Sequence, residues 1–376
     1  MVHIAADLPQ FLQRRELAAY EQRLARMAYA YGVDLRRAQW LATSTVVDPI
    51  MRAVDRRWSQ LVSSLDEDSL HPLRKAPPTA LLEELSRLIH MLRAPLPTLR
   101  ILRREVASRW PAITPLGTTK GGIHWLVLDL DRVMQMSAPE RTFALASGLG
   151  HLQCEHGPIF ATHLMADRGH RMGLMRSLLR PWAKVSVFSA DRAGLVAVRS
   201  LSVAIETIER QTAEQVPWMP RWPELAVRRQ ALEDFDRSAL MARRRVLSDD
   251  EGGGWTMAPP GREEELDSIG RKLSAAFGGA LRLGGRLAMK IEGYERRPDG
   301  DNEDRGDPSE ATADAAPADA RPDDAEASTE SPPPEPPPPE PPKLDPERAS
   351  ALEKALRNAW TLARCDSRLT RRLGLL

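Results

Sequence analysis

Apolar residues recur at three- and four-residue spacing over much of the chain, a pattern that predicts amphipathic helices. The spacing covers residues 9–31 and 34–64, so an all-helical N-terminal part is expected. A further helix is predicted over about residues 78–92, because Pro77 and Pro78 set its start and Pro95 ends it.

The pattern then changes to short apolar runs that are typical of strands. Residues 98–102, 112–116 and 123–128 form three such runs, and the last of them is the strongest strand signal in the chain. Together they predict one small sheet. The helical spacing returns after the sheet, over residues 138–154, 159–179, 184–213, 223–246 and 346–363.

Composition places the chain among soluble, helix-rich proteins. Hydrophobic residues make up 42% of its 376 residues and charged residues 28%. Two cysteines, Cys154 and Cys365, exclude a disulfide framework and suit a reducing compartment, so a cytoplasmic location is expected. The N-terminal residues do not have the pattern of a signal peptide, and no apolar run reaches the length of a membrane span.

The overall charge of +1 hides a strong separation of charge. Residues 298–346 hold fifteen Asp and Glu against three Lys and Arg, a net of −12, so the rest of the chain sums to +13. Fourteen prolines lie in the same segment, with one large aliphatic residue, Leu344. Such a composition predicts a disordered acidic, proline-rich linker, and its proline run is either a spacer or a ligand for a proline-binding groove.

One helical window carries the first chemical motif. Residues 140–156 include Ser147-Gly148-Leu149-Gly150-His151, which resembles the active-site helix of HtpX-type zinc metallopeptidases, members of the gluzincins. In that family two histidines at i and i+4 bind zinc, and the glutamate between them activates the metal-bound water. Ser147 stands at the position of the first histidine, Gly148 at that of the glutamate, and His151 matches the second histidine.

A second window supports the same resemblance. Residues 187–194 contain Ala190-Asp191-Arg192-Ala193-Gly194, which matches the family helix whose glutamate supplies the third zinc ligand. Val187 stands at the position of that glutamate. The resemblance therefore implies a zincin-like metallopeptidase fold in which Ser147, Gly148 and Val187 are degenerate catalytic and zinc-binding positions.

Other residues offer alternative sites. His151 and Cys154, at i and i+3, are residual metal candidates with Asp191 as a third ligand. Histidines 156, 163 and 170 recur every seven residues, but on one helix they would lie about 10 Å apart, too far to share an ion. A Ser147 nucleophile with His151 as its base lacks an oxyanion hole, because helix N–H groups are already bonded.

The first motif contains two glycines, and a reason for glycine is evident at only one of the two positions. Gly150 is the family's usual residue, where close helix contact leaves no space for a side chain. Gly148 has no local reason for its presence, since glycine lowers helix stability by about 1 kcal/mol relative to alanine.

These observations predict a mostly helical α+β fold and a catalytically inactive metallopeptidase-like protein that binds a protein or peptide partner in the former substrate groove. The edge strand 123–128 would accept an extended peptide by strand addition. No cofactor is expected. The alternative is an active zinc metalloendopeptidase with a rearranged metal site, and a third hypothesis is an adaptor that uses the N-terminal helices.

Five segments are expected: an N-terminal helical segment at 1–70, a zincin-like domain at 80–245, a glycine-containing amphipathic segment at 247–297, the linker at 298–346, and a C-terminal helix at 347–376 that packs back on the core. Residues 271–291 have a pattern compatible with contact at an anionic membrane surface or with burial. Arg243-Arg244-Arg245 is interpreted as a solvated helix face, and no specific nucleic-acid binding is predicted.

Overall fold

A computed structural model of the chain describes residues 21–43, 52, 54–71, 74–118, 123–170, 172–247 and 345–375. The acidic linker at 298–346, except for its last two residues, and the segment 271–291 lie outside the described residues. No helix of the described part is long and apolar enough to cross a membrane.

The described chain forms a mostly helical α+β fold. The strands are β1 (Ser69–Leu70), β2 (Thr98–Leu102), β3 (Ile113–Gly117) and β4 (His124–Leu128). The helices are α1 (Gly32–Thr43), α2 (Trp58–Asp68), α3 (Thr79–Leu92), α4 (Leu130–Gln135), α5 (Ala138–Gln153), α6 (Gly157–Asp167), α7 (Gly173–Val198), α8 (Leu201–Ala213), α9 (Leu225–Asp236), α10 (Ala239–Val246), α11 (Pro346–Arg357) and α12 (Leu362–Arg372). Residues 21–29 are also helical.

The four strands form one mixed sheet in the order β1-β2-β4-β3. Strand β4 runs parallel to β2 and antiparallel to β3. Its residues alternate between two core clusters, Leu126 and Leu128 in one and Trp125 and Val127 in the other. Both faces of the sheet are therefore covered, which explains why β4 is a continuous apolar run.

The expectation that the strand at 123–128 lies at the sheet edge is wrong. Strand β4 is paired on both sides, so its backbone groups are already used in the sheet. The edge strands are β1 and β3, and β3 carries Pro115 at its centre. Proline is tolerated in edge strands because its missing N–H can face away from the ladder.

Helices α5 and α7 form the central helix pair of the fold. Helix α5 begins with a capping box between Ser137 and Glu140, and a proline occupies its first turn. A Cβ atom added at Gly150 of α5 would lie 2.6 Å from the Cβ of Ala193 in α7. The expected reason for Gly150, close helix contact, is therefore confirmed.

Helices from both ends of the described chain pack around the second helix of the pair, α7. Helix α1 packs against α7 and α12, and α12 also packs against α9. The hydroxyl of Tyr31 bonds that of Thr370 at 2.7 Å, and Arg192 pairs with Asp366 at 2.7 Å. Residues far apart along the chain thus enclose one helix, α7.

The predicted strands and the helix at 78–92 form within one residue of the expected bounds. The longer helical predictions are interrupted. The run at 184–213 breaks at Arg199, which adopts a left-handed conformation with φ of 57°. The run at 346–363 ends at Arg357 and a new helix starts after Thr361, whose side chain caps it. Apolar spacing alone does not reveal such breaks, because the pattern resumes on the other side.

Candidate functional site

A cleft lies between edge strand β3 and helix α5. Ser147, Gly148 and His151 of α5 line it, together with residues 111–113 and Pro115 from the strand side. The opposite side is formed by the end of α8 and the segment that follows it, and the cavity volume is about 60 Å³. The three positions of the first motif therefore lie on one cleft.

The cleft runs along unpaired backbone of β3. The carbonyl of Ala112 accepts a hydrogen bond from the N–H of Asp129, and the N–H of Thr118 donates to the carbonyl of Ile123, so the backbone groups of these two residues point toward β4. The backbone groups of successive residues in a strand point to opposite sides, so those of Ile113 point away from β4. No described residue hydrogen-bonds the N–H or the carbonyl of Ile113.

The far end of the same strand edge is covered. Gly157, at the start of α6, lies directly on Gly117, since a Cβ added at Gly157 would lie 2.5 Å from the Gly117 nitrogen. Only a glycine at position 157 permits this contact. The accessible edge is therefore short, from about residue 111 to Pro115.

The chain reverses direction at the end of α5 and brings a second histidine onto His151. The N–H of His156 donates to the carbonyl of His151 at 2.9 Å, and that of Glu155 donates to Leu152 at 3.0 Å, with Glu155 at a φ of 62°. This is a Schellman-type helix end, made without the usual glycine. The two imidazoles meet with an Nδ1–Nδ1 distance of 2.9 Å.

Asp34 of α1 extends this contact into a buried polar network. Nε2 of His156 lies 3.0 Å from Oδ1 of Asp34, and the indole N–H of Trp182 donates to the same oxygen at 2.7 Å. The hydroxyl of Ser189 donates to Oδ2. Asp34 is 1% exposed, so helices α1 and α7 and the turn after α5 meet at one buried carboxylate.

The network determines the charge of its members. Burial alone would raise the pKa of Asp34, but the charge of His156 and the hydrogen bonds from His156, Ser189 and Trp182 outweigh it, and the pKa lies below its ordinary value. Burial, followed by the charges of His156 and Arg228, holds the pKa of His151 well below its ordinary value. The imidazole that lines the cleft is therefore neutral.

The position of protons follows from what each atom accepts. An ionised carboxylate only accepts hydrogen bonds, so Nε2 of His156 carries a proton toward Asp34. The two Nδ1 atoms of His151 and His156 share one hydrogen bond. The remaining nitrogen of His151, Nε2, has no hydrogen-bond partner in the described part of the chain.

The predicted site residues do not all meet. Val187 is buried, but it is not among the residues that line the cleft. Asp191 is not a third ligand beside His151 and Cys154, because both its oxygens accept from Arg228 at 2.9 and 2.8 Å in a buried ion pair. The hydroxyl of Ser147 makes no hydrogen bond to His151, so the structure does not assemble a nucleophile and base there.

A different trio could hold a metal ion by distance. Asp34, Cys154 and His156 bring their ligand atoms within 4.8 Å of one another. The trio does not fit a catalytic zinc, because Asp34 already accepts three hydrogen bonds and both ring nitrogens of His156 are bonded. Burial, then the charge of Asp34, raises the pKa of Cys154 above its usual range, whereas zinc binds the thiolate.

The structure supplies a reason for Gly148 that sequence reasoning missed. A Cβ added there would lie 2.8 Å from the Cγ2 of Ile113 and 3.3 Å from a methyl group of Leu126. Glycine thus allows α5 to approach the sheet closely. A side chain at this position would need Ile113 to move.

Asp34 and His156 are the members of the site that the sequence analysis did not select. Asp34 is more than one hundred residues from the motif, and no spacing rule connects them. The seven-residue spacing excludes His156 from a shared site only if one continuous helix runs through it. The signal against that helix was Pro158, which occupies the first turn of α6 and predicts a new helix start.

The arginine run at 243–245 is only partly an exposed basic face. Arg244 is buried beside the sulfur of Met91, whereas Arg245 is exposed and pairs with Asp236. The interpretation of this run as a solvated face is therefore wrong for Arg244.

Comparison with known proteins adds no relative. No family model matches the chain, and no curated protein or solved structure is significantly similar to it.

Proposed function

We propose that this chain is a catalytically inactive relative of the HtpX-type zinc metallopeptidases, with a zincin-like domain, that binds a peptide segment of a protein partner in its former substrate groove. The observation that carries the proposal is the cleft in which the motif residues Ser147, Gly148 and His151 face an unpaired stretch of edge strand.

The arrangement of elements supports a zincin-like domain. An antiparallel edge strand precedes the first motif helix, and the second motif helix packs across it. The two motifs are in contact, since Gly150 of the first lies against Ala190 and Ala193 of the second. The resemblance of two separate sequence windows thus corresponds to two helices that pack together.

Inactivity is expected from the chemistry of the cleft. Zinc catalysis needs three protein ligands and a base for the water. At the corresponding positions this chain has the hydroxyl of Ser147, no side chain at Gly148, and the apolar Val187. His151 remains as one neutral imidazole, which is one zinc ligand where three are needed.

Peptide binding is expected to use the backbone of β3. The N–H and the carbonyl of Ile113 both face the cleft side of the strand, and a bound extended segment would pair with them as a short fifth strand. Because α6 covers the strand from Gly117, the pairing would extend over only two or three residues. The neighbouring cleft would accept one small side chain.

The test removes a single hydrogen-bond donor. Ile113→Pro deletes the outward N–H without removing any hydrogen bond between β3 and β4, and Ile113→Val keeps that N–H with a similar side chain. Binding of fluorescein-labelled, overlapping casein peptides is measured by fluorescence anisotropy with the full chain. The parent and Ile113→Val should bind a common subset, and Ile113→Pro should weaken binding about two- to tenfold, the effect of one net hydrogen bond.

The same preparation tests the enzyme alternative. Zinc content by elemental analysis and casein cleavage with and without chelator should show no stoichiometric metal and no proteolysis. Near one zinc per chain with chelator-sensitive cleavage would support the active metalloendopeptidase instead. Peptide binding that is absent, or equal in the proline and valine variants, would contradict the groove.

A further inference from the structure

A second cavity lies between α6, α7 and the segment before α9. Its volume is about 330 Å³, larger than the cleft at α5. It is lined by His163, Arg176, Ser177, Arg180, Ala183 and Arg221. Three of its six lining residues are arginines, and none is acidic.

The arginines come from two parts of the fold. Arg176 and Arg180 are one turn apart on α7, and Arg221 lies in the segment between α8 and α9. All three side chains are exposed, and in the described part of the chain none of them pairs with a carboxylate. The fold therefore gathers three guanidinium groups at one cavity without a compensating negative charge.

The fourth polar group of the cavity is a buried acceptor. His163 is 4% exposed, and its Nδ1 lies 3.2 Å from the carbonyl oxygen of Trp218. A carbonyl only accepts, so Nδ1 carries the proton and Nε2 of the neutral ring keeps a lone pair. Nε2 is buried and has no hydrogen-bond partner among the described residues. Buried polar atoms are rarely left unpaired, so this nitrogen points to a missing donor.

We propose that this cavity binds hydrogen phosphate, with Arg176, Arg180 and Arg221 on its charged oxygens and Nε2 of His163 accepting a hydrogen bond from its hydroxyl group. Guanidinium groups match the geometry of phosphate oxygens and remain charged at every physiological pH. An oxyanion that also carries a hydroxyl group satisfies three donors and one acceptor together.

The ionisation of His163 agrees with this role. Burial, then the charge of Arg176, lowers the pKa of His163 to about 4, so the ring is neutral near pH 7. A neutral ring with its lone pair toward the cavity distinguishes anions by whether they can donate. Hydrogen phosphate carries a hydroxyl group, whereas sulfate has only acceptor oxygens.

The experiment compares three anions on the full-length protein by isothermal titration calorimetry at pH 8. Inorganic phosphate should bind saturably at about one per chain. Sulfate should bind at least about tenfold more weakly, because it leaves the buried acceptor unpaired against its own oxygens. Phenyl phosphate is a dianion without a proton at this pH and should resemble sulfate, which separates free phosphate from a phosphorylated group.

Variants assign the two functions of the cavity. Arg180→Gln and Arg221→Gln should each weaken phosphate and sulfate together, by about tenfold or more. His163→Asn retains an N–H for the Trp218 carbonyl but lacks Nε2, so it should reduce the preference for phosphate over sulfate to near one. Lys184→Gln removes the same charge from an exposed position on α7 outside the cavity lining, and it should leave binding within about twofold.

Clear outcomes would overturn the proposal. Absence of saturable phosphate binding by the parent protein would do so, as would equal binding of phosphate, sulfate and phenyl phosphate. An equal loss in Lys184→Gln and Arg221→Gln would show attraction to general surface charge only. Should His163→Asn fail to fold, the anion comparison on the parent and the two exposed arginine variants still decide the matter.

Discussion

Replacing Asp34 by alanine is expected to destabilise the whole fold, although Asp34 lies outside both sequence motifs. The substitution leaves three buried donors without an acceptor, namely Nε2–H of His156, the indole N–H of Trp182 and the hydroxyl of Ser189. These donors belong to α7 and to the turn after α5, so the loss affects the junction of three helices.

The magnitude follows from the hydrogen bonds that are lost. Each unpaired buried donor costs about 1–3 kcal/mol. The sum is an upper bound, because the variant no longer bears the cost of burying a carboxylate. Burial is the largest single influence on the pKa of Asp34, which shows that this cost is substantial. We expect a decrease of about 3–5 kcal/mol in the free energy of unfolding, the range seen when one partner of a buried charged pair is removed.

Urea denaturation followed by circular dichroism measures this decrease. The matched control is Asp66→Ala, because Asp66 is 53% exposed and pairs with Arg100 at 3.1 Å on the surface. Its loss should cost no more than about 1 kcal/mol. A cost for Asp34→Ala within about 1 kcal/mol of the control, at an unchanged denaturant slope, would refute the buried network.

The pH dependence gives a second readout of the same carboxylate. The folded pKa of Asp34 is lowered, so its contribution is fully present above the unfolded value of about 3.9 and is lost as pH falls through the folded pKa. The stability difference between the parent and Asp34→Asn should therefore be largest near neutral pH and shrink below about pH 4. A difference that grows with acidity would contradict this assignment.

Two further substitutions test the packing around the motif helices. Asp191→Asn should lower the free energy of unfolding by about 3–5 kcal/mol, because it leaves Arg228 buried without its counter-charge. The double variant Asp191→Leu with Arg228→Met should recover most of that loss. A double-mutant cycle in urea measures the coupling energy, and additive effects would contradict a buried pair. Gly150→Ala should destabilise by about 1–3 kcal/mol because its Cβ meets the Cβ of the buried Ala193 at 2.6 Å. Gly148→Ala meets Cγ2 of Ile113 at 2.8 Å, and it should cost less because Ile113 is only half-buried and lies at the open cleft. Thermal unfolding ranks the two, and the reverse order would contradict the close helix crossing.

Local sequence patterns predicted the elements of the fold but not their assembly. The strands at 98–102 and 123–128 and the helix at 78–92 form as expected, because apolar spacing and flanking prolines act within a few residues. Strand order was not predictable in the same way. Strand β4 lies inside the sheet and β3 lies at one edge, because strand pairing depends on contacts between residues that are distant in sequence.

The candidate site was likewise predictable from the sequence only in part. The sequence alone determined that Ser147, Gly148 and His151 share one helix, since residue identity and helical spacing are local facts. Only the tertiary structure decided that His151 is neutral, that it contacts His156, and that His156 in turn contacts Asp34. A pKa and a hydrogen-bond network depend on burial and on atoms brought together from separate helices, and neither is encoded in the spacing of any single segment.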